Sequence, residues 1–72
     1  MSIFASRLKE IRISQDKKQR EVAEYLGIKT RSYQAYEGGE REPYIDTLIA
    51  LADYFDVSLD YLTGRSNQSG DM

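Results

Sequence analysis

Gln19-Arg20-Glu21-Val22-Ala23-Glu24-Tyr25-Leu26, then Gly27-Ile28, then Lys29-Thr30-Arg31-Ser32-Tyr33-Gln34-Ala35-Tyr36-Glu37 before Gly38-Gly39, is the stretch that decides the reading of this chain. Each run is short, has apolar residues at helical spacing and ends at glycine, the residue that most readily takes the positive φ of a sharp helix exit. Two short helices joined at Gly27, the second carrying Lys, Thr, Arg, Ser and Gln outward, make a helix-turn-helix of a kind that can enter a DNA groove.

Outward from this pair, Ile3, Phe4, Leu8 and Ile11 recur at helical spacing among Arg7, Lys9, Glu10 and Arg12. They predict an amphipathic first helix over about residues 3 to 13, broken by Gln15-Asp16-Lys17. The second helix has two readings. Asp16 with Gln19 resembles a capping box, whereas a start at Lys18 puts Glu21 at the third position behind a poor cap, so the start falls between 16 and 19. Val22, Ala23 and Leu26 face its core side. In the third helix a cap at Lys29 lets Ile28 staple onto Tyr33, and the buried stripe is Tyr33, Tyr36 and the stem of Glu37. Lys29, Thr30, Arg31, Ser32, Gln34 and Ala35 then face outward. Pro43 stops any helical continuation, after which Ile45, Leu48, Ile49, Ala52 and Phe55 mark a fourth helix with a broad apolar face. Ser58 caps a short fifth helix, with Val57 and Leu62 spaced for a staple, and Gly64 ends it. The fold expected is all-α, five helices in one domain over residues 1–64. The polar run 65–72 reads as a disordered tail or the start of a linker.

Composition narrows the chemistry. With 72 residues, no Cys and no His, the chain has no route to disulfides, Cys/His metal sites, thiol nucleophiles or His acid–base catalysis. No carboxylate pair suggests itself, so an enzyme is not expected, and neither is a cofactor, a metal or a small-molecule ligand. No apolar stretch approaches the roughly 20 residues that span a bilayer, which leads us to expect a cytoplasmic protein.

Net charge, at −2 with a sequence pI of about 5.0, argues against a nucleic-acid partner when taken globally. Its distribution reverses that reading. Residues 1–31 hold eight basic against four acidic side chains, and residues 32–72 hold two against eight. The first half therefore carries +4 and the second −6. An electrically polar chain of this kind can present its basic end to a polyanion.

These residues resemble the lambda-repressor/Cro-like helix-turn-helix, or XRE, family of bacterial and phage transcription regulators. The likeness runs without a gap from Arg7-Leu8-Lys9-Glu10-Ile11-Arg12, through the two runs quoted above and Gly38-Gly39-Glu40-Arg41-Glu42-Pro43, to Leu51-Ala52-Asp53-Tyr54-Phe55-Asp56-Val57-Ser58-Leu59-Asp60-Tyr61-Leu62-Thr63-Gly64. It implies a domain that binds a double-stranded DNA operator, usually as a homodimer on an inverted repeat.

Carried over position by position, the resemblance places Gln19 against a phosphate at a helix N-terminus, where the dipole favours an anion. It makes Lys29, Thr30, Arg31 and Ala35 the base-contacting residues, with Arg31 suited to bidentate contact with guanine O6 and N7. Lys18, Ser32, Gln34, Tyr36, Gly38 and Arg41 are implied phosphate contacts, with backbone N–H groups of Gly38, Gly39 and the loop through Pro43 turned to the next phosphate. Glu37 is acidic in the wrong place for DNA, and the resemblance pairs it with Arg12 as a structural ion pair. The dimer interface falls on Phe55, Val57, Leu59, Tyr61 and Leu62, which offer much apolar area for so short a terminal helix. Lys17, Lys18, Lys29 and Tyr44 depart from the family pattern, and lysines at helix N-termini oppose the dipole unless a phosphate lies near. An alternative from another class is an antitoxin-like or anti-regulator module whose helix-turn-helix holds a protein.

Overall fold

The computed structural model describes residues 3–65, which form five helices and, among the described residues, no strand. In chain order these are α1 (Ile3–Ser14), α2 (Gln19–Leu26), α3 (Thr30–Glu37), α4 (Ile45–Phe55) and α5 (Leu59–Thr63). The tail expected over 65–72 lies, Arg65 aside, outside the described residues.

Local chemistry explains the boundaries. Asp16 does not cap α2; it takes the left-handed conformation, φ 58°, that turns the chain out of α1. Lys18 is the N-cap, and its backbone N–H donates to Glu21 Oε1 at 2.7 Å. A lysine ammonium has no acceptor, so only the glutamate half of a capping box operates here. Gly27 leaves α2 at φ 74°, allowing Ile28 N–H to reach back to the Ala23 carbonyl at 3.0 Å. After α3 the left-handed residue is Gly39, φ 77°, while Gly38 stays right-handed. Ser58 Oγ accepts from Tyr61 N–H at 3.0 Å and starts α5 as its sequence predicts.

α1 lies against α3 and α5, α2 against α3 and α4, and α4 against α5. Leu8, Val22, Tyr33, Leu51, Phe55 and Leu62 are the largest side chains removed from solvent. Each contributes roughly 1.5–3 kcal/mol of apolar burial. Polar ties reinforce the packing: Arg7 Nη1 donates to the Tyr61 carbonyl at 2.7 Å with its guanidinium 4.3 Å from the Tyr61 ring centre, and Gln15 Nε2 donates to the Phe55 carbonyl at 2.8 Å.

Three expectations about apolar faces need correction. Ile3 is 56% exposed, and Ala5 takes the inward position in the first turn of α1. Ile3 instead rests over Gly64, where an added Cβ would stand only 2.7 Å from Ile3 Cγ2. Along α4 the inward stripe is Leu51, Ala52 and Phe55, flanked by half-buried Leu48, while Ile45 and Ile49 face solvent. A stripe read only from where the apolar residues stand was too broad. Phe55 and Leu62, expected at a dimer interface, are 1% and 0% exposed; they close the core of this chain and offer no surface to a partner.

Nothing lies within 4 Å of where a Cβ on Gly27 would stand, so the demand for glycine there is purely one of backbone conformation. Gly27→Ala is therefore expected to lower stability to urea by about 1–2 kcal/mol, the handedness cost of an L-residue, with Gly27→Asn recovering part of it.

Candidate nucleic-acid interface

The surface built by α2 and α3 is organised around the Glu37 carboxylate. Arg12, near the end of α1, approaches it with two nitrogens: Nε to Oε2 at 2.5 Å and Nη2 to Oε1 at 3.1 Å. Tyr33, one helical turn before Glu37, donates its phenol to Oε2 at 2.5 Å. Gln19, the first residue of α2, donates Nε2 to Oε1 at 3.1 Å. The remaining reach of Arg12 goes to the Lys17 carbonyl at 2.9 Å, which holds the α1–α2 turn. The ion-pair side chains are only 12% and 4% exposed, and no buried side-chain polar atom among the described residues lacks a partner.

These contacts set protonation. Burial pushes the Glu37 carboxyl upward, but donation from Arg12, Tyr33 and Gln19 outweighs it and holds the group below its ordinary range. Donation to Glu37, against the opposing effect of burial, makes the Arg12 guanidinium harder still to deprotonate. Burial first, then the Glu37 contact, pushes the Tyr33 phenol well above its usual range. The acid that looked misplaced for DNA is thus neutralised within the fold. Arg12 and Glu37 form the ion pair the resemblance implied.

Around this centre, α3 turns Lys29, Arg31 and Gln34 to solvent and leaves Thr30, Ser32 and Ala35 half-buried. Lys18 and Arg20 are exposed at the start of α2 beside half-buried Gln19. No side chain caps α3 at Lys29. Gln34 Nε2 donates to Gln19 Oε1 at 3.0 Å, joining the outer face of α3 to the start of α2. Tyr36 is half-buried, its ring edge-on to Tyr33 at 6.4 Å, and Arg41 is exposed. Val57, Leu59 and Tyr61 are half-buried on and before α5.

The loop after α3 departs from expectation. Gly38 N–H bonds to the Gln34 carbonyl at 2.9 Å, Gly39 N–H to Tyr36 at 3.3 Å, and the Glu40 and Arg41 N–H groups both to Ala35 at 3.0 and 3.3 Å. All four close the end of α3, as unpaired helix-terminal carbonyls require. Gly38 therefore has no backbone N–H to offer a phosphate, and of the exposed side chains that follow it, Glu40, Arg41 and Glu42, only Arg41 is a cation. Sequence reading also missed the phenol of Tyr33 as a partner of Glu37, although their separation of four residues on one helix was the available signal. The Gln19–Gln34 pair had no such signal, because it joins two helices.

A helix-turn-helix family model matches residues 8–62. The chain belongs to this helix-turn-helix family. It is 45% identical over 67 residues to the uncharacterized HTH-type transcriptional regulator YqaE of Bacillus subtilis, covering 92% of this chain and 58% of that protein. It is 32% identical over 69 residues to the cryptic phage CTXphi transcriptional repressor RstR of Vibrio cholerae, covering 96% and 62%. The chain thus spans about three-fifths of the length of these relatives. Among solved structures, a transcriptional regulator from Listeria innocua superposes with a TM-score of 0.84 at 33% identity, over all of this chain and 67% of that one. The P22 c2 repressor protein, solved in complex with a synthetic operator, superposes at 0.82 with 23% identity, over 92% of this chain and all of that one, a likeness of fold. The lambda-repressor/Cro-like character read from the sequence is borne out. No helix of the described residues is long and apolar enough to cross a membrane, and no group of their acidic side chains could hold a metal ion.

Two tests follow from the buried carboxylate. Arg12→Met leaves Glu37 with neutral donors only and is expected to cost about 3 kcal/mol or more, whereas pairing it with Glu37→Leu recovers much of the loss in a urea double-mutant cycle. Because the folded-state carboxyl sits below its ordinary value of 4.5, its stabilisation is present above that value and fades as pH falls below it. The stability gap between the natural chain and Glu37→Gln should accordingly shrink between pH 5 and the acid limit of folding; a gap constant with pH would contradict the assignment.

Proposed function

We propose that this chain is the DNA-reading unit of a transcription regulator, a repressor that occupies an inverted-repeat operator through the major groove. The observation that carries the reading is the exposed polar face of α3, with Lys29, Arg31 and Gln34, set beside the exposed Lys18 and Arg20 of α2. Glu37, the one acid of α3, has its charge cancelled by Arg12. Support also comes from the repressor names of RstR and of the P22 c2 protein, the latter solved with its operator. On this reading Lys29, Thr30, Arg31 and Ala35 face base edges, while Lys18, Gln19, Ser32, Tyr36 and Arg41 hold phosphates, contacts that read no base directly.

A homodimer fits the same reading. Val57, Leu59 and Tyr61 pack against the core near α5 but stay only half-buried, and the acidic side chains of α4 and α5 keep that end away from DNA. A two-fold pair sets its recognition helices about 34 Å apart, one turn of the duplex. The unit acts by occupying a promoter site within the cytoplasm and needs no catalytic step.

A second reading rests on a different observation. Tyr44, Ile45 and Ile49 are 85%, 61% and 43% exposed on one stretch of α4 and its cap, apolar area of a kind that binds protein. An antitoxin-like or anti-regulator module would use it.

Selection from a random duplex library with the purified chain separates the two. An enriched inverted repeat supports the DNA reading, and its affinity should fall with salt by about 0.9 log unit per log unit for each phosphate held. No enrichment, or binding indifferent to salt, would favour the protein-binding module. Arg31→Ala is expected to lose preference at one base position of each half-site, a discrimination of about 1–3 kcal/mol; an unchanged base profile would remove Arg31 from the reading face.

A further inference from the structure

Three side chains stand in series across the junction of α2 and α3. Gln34 Nε2 donates to Gln19 Oε1 at 3.0 Å, and Gln19 Nε2 donates to Glu37 Oε1 at 3.1 Å. Donor and acceptor chemistry fixes the direction of this series. Glu37 is ionised beside Arg12 and accepts only, so Gln19 must turn its NH₂ toward it. The carbonyl of Gln19 then faces Gln34, which in turn must present its own NH₂. A flipped Gln34 would set its carbonyl oxygen against that of Gln19, two acceptors with no hydrogen between them. Gln34 is solvent-exposed, yet its amide is oriented by a buried carboxylate one residue pair away.

We propose that this relay makes Gln34 a base-reading residue that selects adenine, and not a phosphate contact. The inference rests on the DNA reading proposed above. An oriented Gln34 keeps one Nε2 hydrogen and its Oε1 lone pairs for an outside partner. Adenine matches that pair in the major groove, since N7 accepts and the N6 amino group donates. Guanine presents two acceptors there, O6 and N7, so Oε1 would meet O6 unpaired. Thymine and cytosine each show a single polar group and satisfy only half of the amide. Gln34 lies one helical turn beyond Thr30 on the same face of α3, which places it alongside an expected base contact. Gln19 retains a second Nε2 hydrogen, so it can hold a phosphate while it orients Gln34; it is a positioning residue for this contact.

The test uses the natural chain, Gln34→Ala and Gln19→Ala in parallel selections from a random duplex library. The natural chain should enrich a half-site with a fixed adenine, and Gln34→Ala should flatten that position alone, with adenine-over-guanine preference falling on the order of tenfold or more. Gln19→Ala should flatten the same position and also weaken all sequences. A urea midpoint unchanged in Gln34→Ala would show that the effect is not one of folding. Uniform weakening by Gln34→Ala would make it a phosphate contact and overturn the inference, as would loss of preference at a base other than adenine, or none. If the natural chain itself enriches nothing, the DNA reading fails and this inference with it, an outcome distinct from the others.

Discussion

A single carboxylate, Glu37 at the last position of α3, must be satisfied for the rest of this fold to hold together. It is almost wholly enclosed, and an enclosed anion is tolerable only with a cation and further donors around it. The chain meets that demand from three separate elements: Arg12 from α1, Gln19 from α2, and Tyr33 from α3 itself. The two helices of the motif touch each other and α1 through the same two oxygen atoms. Apolar burial makes the domain compact, but this polar centre fixes the relative rotation of α2 and α3, because hydrogen bonds are directional and hydrophobic contact is not.

Much of this was legible in the order of residues. Glycines at 27 and 64, Ser58, and the apolar spacing in α1 and α2 placed the helices because each acts locally, through φ, a cap or a face. The pairing of Arg12 with Glu37 came through family resemblance; spacing alone gives no reason to join residues 25 apart. What stayed hidden depended on neighbours in space. Asp16 looked like a cap because it precedes a helix by the usual distance, yet the turn from α1 needed a left-handed residue and aspartate accepts that role. Ile45 and Ile49 looked like core because they are apolar, but Leu51, Ala52 and Phe55 already fill the side of α4 that faces its neighbours. The backbone N–H groups after α3 looked available to a ligand, and the helix end had first claim on them.

The candidate surface shows the same division. Periodicity turns Lys29, Thr30, Arg31, Ser32, Gln34 and Ala35 outward, and of these the structure exposes Lys29, Arg31 and Gln34 and leaves the other three half-buried. How those side chains are held does not follow from periodicity. The Gln19–Gln34 contact ties an exposed amide to a buried charge, so the surface of α3 inherits part of its order from the interior. Long polar side chains on an exposed helix ordinarily lose rotamer freedom when they bind, and a side chain already held loses less.

The seat of Ile3 over Gly64 has a mechanical consequence. The first and last helices of the described chain meet, so a tension applied between residues 3 and 64 would load the contact of α1 with α5. Arg7, bonded to the Tyr61 carbonyl and laid over its ring, sits directly on that loaded path. In a longer polypeptide this seam would be the part of the domain that first carries a pull between its two ends.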